Sequence, residues 1–405
     1  MTGRIFYGWW VVLACATVAV WTGGIFFGIT VFITPIVNDF GWTYLAVSLA
    51  ASIRSVEMGV MAPAAGYLAD RLSPKRITFI GGAVGGAGLL MMSFTNSLIM
   101  YYVAFFTLSV GFTGLGQAVT TTVVSNWFRR RAGLATGIMV AGYGLGGVIL
   151  PFMSWLTITY GWRVATLVHA LMTWAIVLPV SLLVRDKPEH YGLAVDGERA
   201  PTGGVSASAA VPLAREDHTP KSALRTGNFW FLALSFLVQF GVLQAVSLHI
   251  VPYCKSVSLT DAAAATIGMM LPLASVIGRL LFGWLGDRFG SKPVLVVGLA
   301  IQVGGLAFLS YGYTLWQLAF FLALYAPAFG GTVVLRASAI REYFGRTAFG
   351  SIQGLIIGVM TIGGIVGPAY AGWTYDTAGS YQTAWLVMTG ATLVAMLFIL
   401  PVKKT

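Results

Sequence analysis

Charge is scarce in this chain. Asp, Glu, Lys and Arg make up 9% of its 405 residues, and hydrophobic residues 57%. A soluble domain carries about 25% charge, so an ordinary water-solvated protein is excluded and lipid is the main solvent. Cysteine is rarer still. Cys15 and Cys254 both lie in or at the end of apolar stretches, which leaves no disulfide framework and no CxxC metal spacing. No metal and no cofactor are expected. No apolar segment gathers a nucleophile–base or metal-ligand cluster, so an enzyme is not expected, and no P-loop is present to bind ATP. The basic excess of +11 does not gather on one amphipathic face, which argues against a nucleic-acid partner. The first apolar stretch is too long for a signal-peptide core and lacks a clear small-residue cleavage site.

What is present is long hydrophobic runs. A helix needs roughly 20 apolar residues to cross a bilayer. Twelve segments qualify, near 8–37, 44–69, 77–95, 98–126, 133–158, 162–184, 228–253, 262–286, 293–311, 315–340, 347–373 and 381–401. Most connections are short. The exception, 185–227, is rich in Pro, Gly, Ser, Ala and mixed charge. It reads as a partly disordered linker between an N-terminal six-helix bundle (1–184) and a C-terminal one (228–405). Basic residues fall on one set of loops: Arg4, Arg71, Lys75, Arg76, Arg129 to Arg131, the linker, Arg288, Lys292, Arg341, Arg346, Lys403 and Lys404. The other set holds only Arg163 and Lys255. The positive-inside rule then puts both termini and the linker in the cytoplasm, with the chain multi-pass in the cell (inner) membrane. Nothing in the sequence calls for an obligate oligomer, and a monomer is expected.

The two halves repeat each other. Gly66-Tyr-Leu-Ala-Asp70-Arg71-Leu-Ser-Pro-Lys75-Arg76 returns as Gly283-Trp-Leu-Gly-Asp287-Arg288-Phe-Gly-Ser-Lys292, an offset of 217 (287 − 70). Pro35 pairs with Pro252 and Pro151 with Pro368 at the same offset. Two parallel copies in so apolar a chain point to a transporter with its working site between them. Glycine is abundant (50 residues) and concentrates inside segments, as at Gly137, Gly142, Gly144, Gly146 and Gly147, and at Gly354, Gly358, Gly363, Gly364 and Gly367. Small residues let helices approach closely in lipid. These two stretches serve static packing, or they slide and flex during alternating access.

Four ionisable side chains other than His sit clearly inside the segments, away from their ends: Arg54, Glu57, Arg279 and Arg336. Each is costly there. Arg279 is eight residues before Asp287, about 12 Å of helix and so near the middle of a ~30 Å core. No acid stands three or four residues either side of it. Its planar fork suits a carboxylate; the alternative is a structural pair with Glu57. Glu57 has Arg54 one turn away, so it is either half of a local ion pair or a proton site. Arg336, about two turns inside its segment, can snorkel or meet a neighbouring helix, in packing or gating. His249, just before Pro252, is either a proton or substrate group in the outer vestibule or a hydrogen-bonded structural residue.

The paired loop resembles the motif between the second and third helices of the major facilitator superfamily, with its second-half copy; Ser73 stands where the first copy usually has Gly. Tyr7-Gly-Trp-Trp-Val-Val12 looks like the opening of the first helix of monocarboxylate transporters. Trp127-Phe-Arg-Arg-Arg-Ala-Gly-Leu-Ala-Thr-Gly-Ile-Met-Val-Ala-Gly-Tyr-Gly144 looks like their signature across the fourth and fifth helices, shared with oxalate–formate exchangers. The resemblance implies an all-α membrane fold of twelve helices in two pseudo-symmetric bundles. It makes Gly66, Asp70, Arg71, Asp287 and Arg288 a cytoplasmic gate, in which the two aspartates meet helix N-termini or basic groups and lock the outward-open form.

The same resemblance assigns Arg279 to the carboxylate and Tyr143 to the pocket, and puts Gln117 where the exchanger has another pocket tyrosine. Ile356 falls where the exchanger has a second cation, which favours a monocarboxylate. Phe27 and Ser275 replace the lysine and aspartate to which animal transporters owe proton coupling, so His249 or Glu57 would hold the proton. Phe26, Phe27, Leu145, Tyr325 and Phe329 are the apolar pocket candidates, from helices that line the central cavity in this fold. The expected function is secondary transport of a lactate- or pyruvate-like monocarboxylate with a proton. Anion exchange or efflux of a larger organic acid is the alternative, and a transporter-like membrane sensor is a different class.

Overall fold

The computed structural model describes residues 6–197 and 218–403, with side chains throughout except in parts of the first, second and eighth long helices. Phe26, Phe27 and Arg54 are among the side chains outside that description, and much of the 185–227 linker lies outside the described residues. Among the described residues, long helices follow one another as expected. The first half has α1 (Tyr7–Phe40), α2 (Tyr44–Arg71), α3 (Pro74–Ser93), α4 (Leu98–Trp127), α5 (Ala132–Tyr160) and α6 (Trp162–Leu183). The second has α7 (Gly227–Ser256), α8 (Asp261–Phe289), α9 (Ser291–Ser310), α10 (Leu315–Phe344), α11 (Phe349–Ala378) and α12 (Gln382–Ile399). Eleven of them contain a stretch long and apolar enough to cross a membrane, and α2 runs 28 residues beside them. The molecule is a twelve-helix, all-α membrane protein.

Starts and stops follow ordinary helix chemistry. Thr43, Ser97, Thr226, Thr260 and Thr314 each cap a helix by accepting a backbone N–H, and Thr314 with Gln317 closes a full capping box. Gly41 and Gly379 end α1 and α11 at φ of 67° and 65°, the left-handed conformation that glycine tolerates best.

Apolar side chains gather within each half. One cluster joins Val18, Trp21, Leu89, Tyr101, Phe105 and Met153 from α1 to α5. Two others draw on α7 to α12, around Phe236, Leu299 and Phe344 and around Tyr253, Phe321 and Trp385. Val334 of α10 joins Val123, Trp127, Met139 and other side chains of the first half, so the halves also meet through apolar packing.

The repeat breaks in two elements. In α4 the chain turns extended at Gly116 (φ −70°, ψ 168°), which ends one helical piece at Leu115 and starts another at Gln117. In α5 a 3-10 turn over Gly146–Ile149 interrupts the helix just before Pro151. Their counterparts α10 and α11 run unbroken through Pro327 and Pro368.

Candidate functional site

At the end of the molecule that bears the repeated motif, each motif aspartate reaches into the other half. Asp70, at the end of α2, accepts from the Gly350 amide (2.9 Å), the Ser351 amide (2.7 Å) and the Ser351 hydroxyl (2.6 Å) at the start of α11. Asp287, at the end of α8, accepts from the Gly133 and Leu134 amides (2.7 and 2.9 Å) at the start of α5. The first amides of a helix have no partner within it and carry the positive end of its dipole, so a carboxylate is their natural cap. The two latches are copies: 70 + 217 is 287 and 133 + 217 is 350.

Glycines bring the backbones close enough for this. Gly66 packs on the Gly350 carbonyl and Gly283 on the Gly133 carbonyl; a methyl group on any of the four would overlap the facing oxygen. Arg341 and Arg346 of the second half add donors to the Phe128 and Asn126 carbonyls at the end of α4. Arg71 lies over the Tyr67 ring at 4.6 Å and Arg288 over Trp284 at 5.6 Å, so the motif arginines stay on their own helices.

Arg279 sits deeper along the same seam and is 7% exposed. Its Nη1 donates to the Val140 carbonyl of α5 at 2.7 Å, and Nε has no partner. No carboxylate lies within ion-pair reach of it among the described residues, and Glu57 is engaged by the Thr113 hydroxyl at 2.8 Å instead. Gly137 and Gly144 make room on α5 for the α8 backbone and for the guanidinium itself. A buried guanidinium with one backbone bond and an idle Nε has the donors to take a planar anion.

Tyr143 is on the same stretch of α5. Its hydroxyl donates to the Leu115 carbonyl at 3.2 Å, which the break in α4 leaves free, and lies 3.4 Å from the Thr120 hydroxyl. Gln117, first residue after that break, accepts from Arg336 Nη2 at 2.8 Å. Arg336 does not snorkel. It is 6% exposed and lies between α4 and α11, because a polar partner waits inside. Thr121 and Gln353 extend this polar layer with a hydrogen bond of 2.8 Å between α4 and α11. Neither stands out by chemistry, although a glutamine inside the apolar run of α11 was the available signal.

The other candidates are elsewhere. His249 is held on both ring nitrogens, by the Tyr381 hydroxyl (3.2 Å) and the Pro368 carbonyl (3.1 Å), and shares no hydrogen bond with the Arg279 group. Tyr325 is fully buried and its Cβ backs onto Gly305 of α9, inside the second half. It packs in the apolar cluster of the second half. Phe329 stacks on it, with ring centres 6.3 Å apart. Leu145 is 42% exposed at the interruption of α5, and Phe27 lies outside the described side chains.

The sequence profile of the Major Facilitator Superfamily matches residues 12–281 and 250–405. The chain belongs to this superfamily. Its members' transport fold is the one described above. The chain is 28% identical over 422 aligned positions to monocarboxylate transporter 12 of Xenopus laevis, covering 98% of this chain and 89% of that protein. It is 26% identical to the oxalate:formate antiporter of Oxalobacter formigenes, covering 100% and 95%. Among solved structures, the superfamily transporter FucP in the outward conformation aligns with a TM-score of 0.73 at 16% identity over 97% of this chain and 98% of that one. The human organic anion transporter MFSD10 aligns at 0.75 and 14% identity over 96% and 99%. This superfamily protein is thus a multi-span membrane transporter of a small molecule.

Proposed function

We propose that the chain is a secondary active transporter of a small monocarboxylate, lactate- or pyruvate-like, that moves with a proton by alternating access. The observation that carries this reading is Arg279: buried at the seam between the halves, bonded to one backbone carbonyl, and without a carboxylate partner among the described residues. A substrate carboxylate supplies what it lacks, with Tyr143 on the facing stretch of α5 and Gln117 two residues past the α4 carbonyl that Tyr143 binds. The names of the similar proteins, a monocarboxylate transporter and an oxalate:formate antiporter, agree with carboxylate chemistry.

The halves 1–184 and 228–405 move as bodies joined by the linker, and the basic loops lie in the cytoplasm of the cell (inner) membrane. The Asp70 and Asp287 latches then seal the cytoplasmic face, and Gly66, Arg71 and Arg288 complete that gate. Glu57 and His249 are the groups that would hold the proton. The protein acts as a monomer. A second reading, exchange of a larger or doubly charged organic anion, is favoured by one specific observation. Arg336 is a second buried guanidinium, which removes the premise that the site holds a single cation.

Counterflow tests both readings. Vesicles holding the reconstituted protein and labelled lactate are challenged outside with lactate, formate, acetate, oxalate and a lipophilic cation. Lactate, formate and acetate are expected to drive exchange, and the cation to be inert. Stimulation by oxalate moves the assignment to the second reading. An imposed pH gradient should drive lactate uptake; uptake indifferent to it, with no acidification of the lumen, removes the proton.

A further inference from the structure

Arg336 has a use that its present partners do not explain. Nη2 is satisfied by Gln117 Oε1 at 2.8 Å, but Nη1 faces only the Met360 sulfur at 3.3 Å, a weak acceptor, and Nε has none. Two more donors around it are idle. Gln117 Nε2 and Gln353 Nε2 are both buried without a partner. Gln353 is fully buried on α11 and tied by its oxygen to Thr121, one turn beyond Gln117 on α4. The restart of α4 adds its first amides at the same place, since no side chain caps the piece that begins at Gln117. No carboxylate approaches Arg336 among the described residues. Idle donors from three helices and an unpaired buried cation are each unfavourable, and one anion would satisfy them together.

Position says when that anion arrives. Arg336 is five residues, ~7.5 Å of helix, above Arg341, which meets the Phe128 carbonyl at the latched face; Arg279 is eight residues, ~12 Å, above the Asp287 latch. Arg336 is therefore rooted nearer that face. Gln117 belongs to the first half and Arg336 to the second, so parting the halves breaks their bond and turns Arg336 toward the opening.

The geometry points to Arg336, with Gln117 and Gln353, as a second anion-binding position, one that meets the carboxylate of the transported acid from the cytoplasmic side after the latches open. It rests on the carboxylate-transport reading above, and differs from it in predicting a site that is felt from one face only.

The test uses the full chain in proteoliposomes of known orientation, with labelled formate, lactate and oxalate as probes and half-saturation read separately from each face. Arg336→Gln should weaken cytoplasmic half-saturation about tenfold or more, the loss of charge-assisted hydrogen bonds, and leave the opposite face within about twofold. Arg336→Lys should recover part of the loss, and Arg279→Gln should impair both faces. Equal weakening on both faces, or no change, overturns the proposal while leaving carboxylate transport standing. A wild-type protein that moves none of the three probes ends both. If Arg336→Gln does not yield folded protein, the wild type serves. Phenylglyoxal added from the cytoplasm should modify Arg336, read by peptide mass spectrometry, and the three carboxylates should slow it where chloride does not. Modification that the carboxylates fail to slow overturns the proposal equally.

Discussion

Arg279 keeps its charge in any conservative replacement, so its shape is what an experiment can remove. A lysine there retains the cation but loses the fork that grips both carboxylate oxygens. Hydrogen bonds to charged groups are worth about 1.5–3 kcal/mol. Arg279→Lys is expected to weaken half-saturation for lactate roughly ten- to a hundredfold with the protein still folded; unchanged affinity would dispose of the two-pronged grip. Arg279 is legible in the sequence because a guanidinium eight residues before a motif aspartate has nowhere to hide in an apolar run. Arg336 is legible as a buried charge, but its setting is not, since Gln117 is 219 positions away in the chain and only tertiary structure joins them. The face of Tyr325 is not legible in the sequence, because the stretch from Phe320 to Phe329 is apolar on every side and only tertiary structure sets the Tyr325 Cβ against Gly305.

The helix termini at the latched face act as a set. Asp186 takes the Ser73 hydroxyl at 2.9 Å and the Lys75 amide at 3.3 Å at the start of α3, and Glu342 takes the Ser291 amide at 3.0 Å at the start of α9. The first of these caps ties the start of the linker to the first half and the second stays within the second half, while the Asp70 and Asp287 caps cross between halves. Asp70→Asn or Asp287→Asn keeps the shape and removes the charge that faces the helix end. Each single change should shift the balance toward the cytoplasm-open form by about 1–2 kcal/mol, and the pair by about the sum, because the sites are separate. Cysteine labelling from the cytoplasm at Thr122→Cys, a buried side chain beside Gly350 of the latch, read against an otherwise cysteine-free protein, would report it. Labelling no faster in the double variant than in the parent would exclude a latch. The repeat makes these aspartates readable from the amino-acid order alone. The break in α4 is not, although Gly111, Gly114 and Gly116 cluster there, because glycine in a membrane helix signals close packing as often as a bend.

Across the whole molecule, the symmetry sets the closure and the departures from it set the chemistry. Among the described side chains, the buried guanidinium groups of Arg279 and Arg336 come from the second half, and the first half meets them with a carbonyl, a tyrosine and a glutamine from its two interrupted helices. The crossing latches carry a further consequence, which concerns water. Each aspartate is served by two amides of the opposite half, and the first amides of a helix have no acceptor within it. When the halves part, both carboxylates and both helix ends must be hydrated at once. Opening this face is therefore a wetting event, sensitive to water activity on that side. Polyethylene glycol too large to enter, added only at the cytoplasmic face and osmotically balanced across the bilayer by a small solute, should slow exchange by holding the latches dry. The same polymer on the opposite face should not reach them.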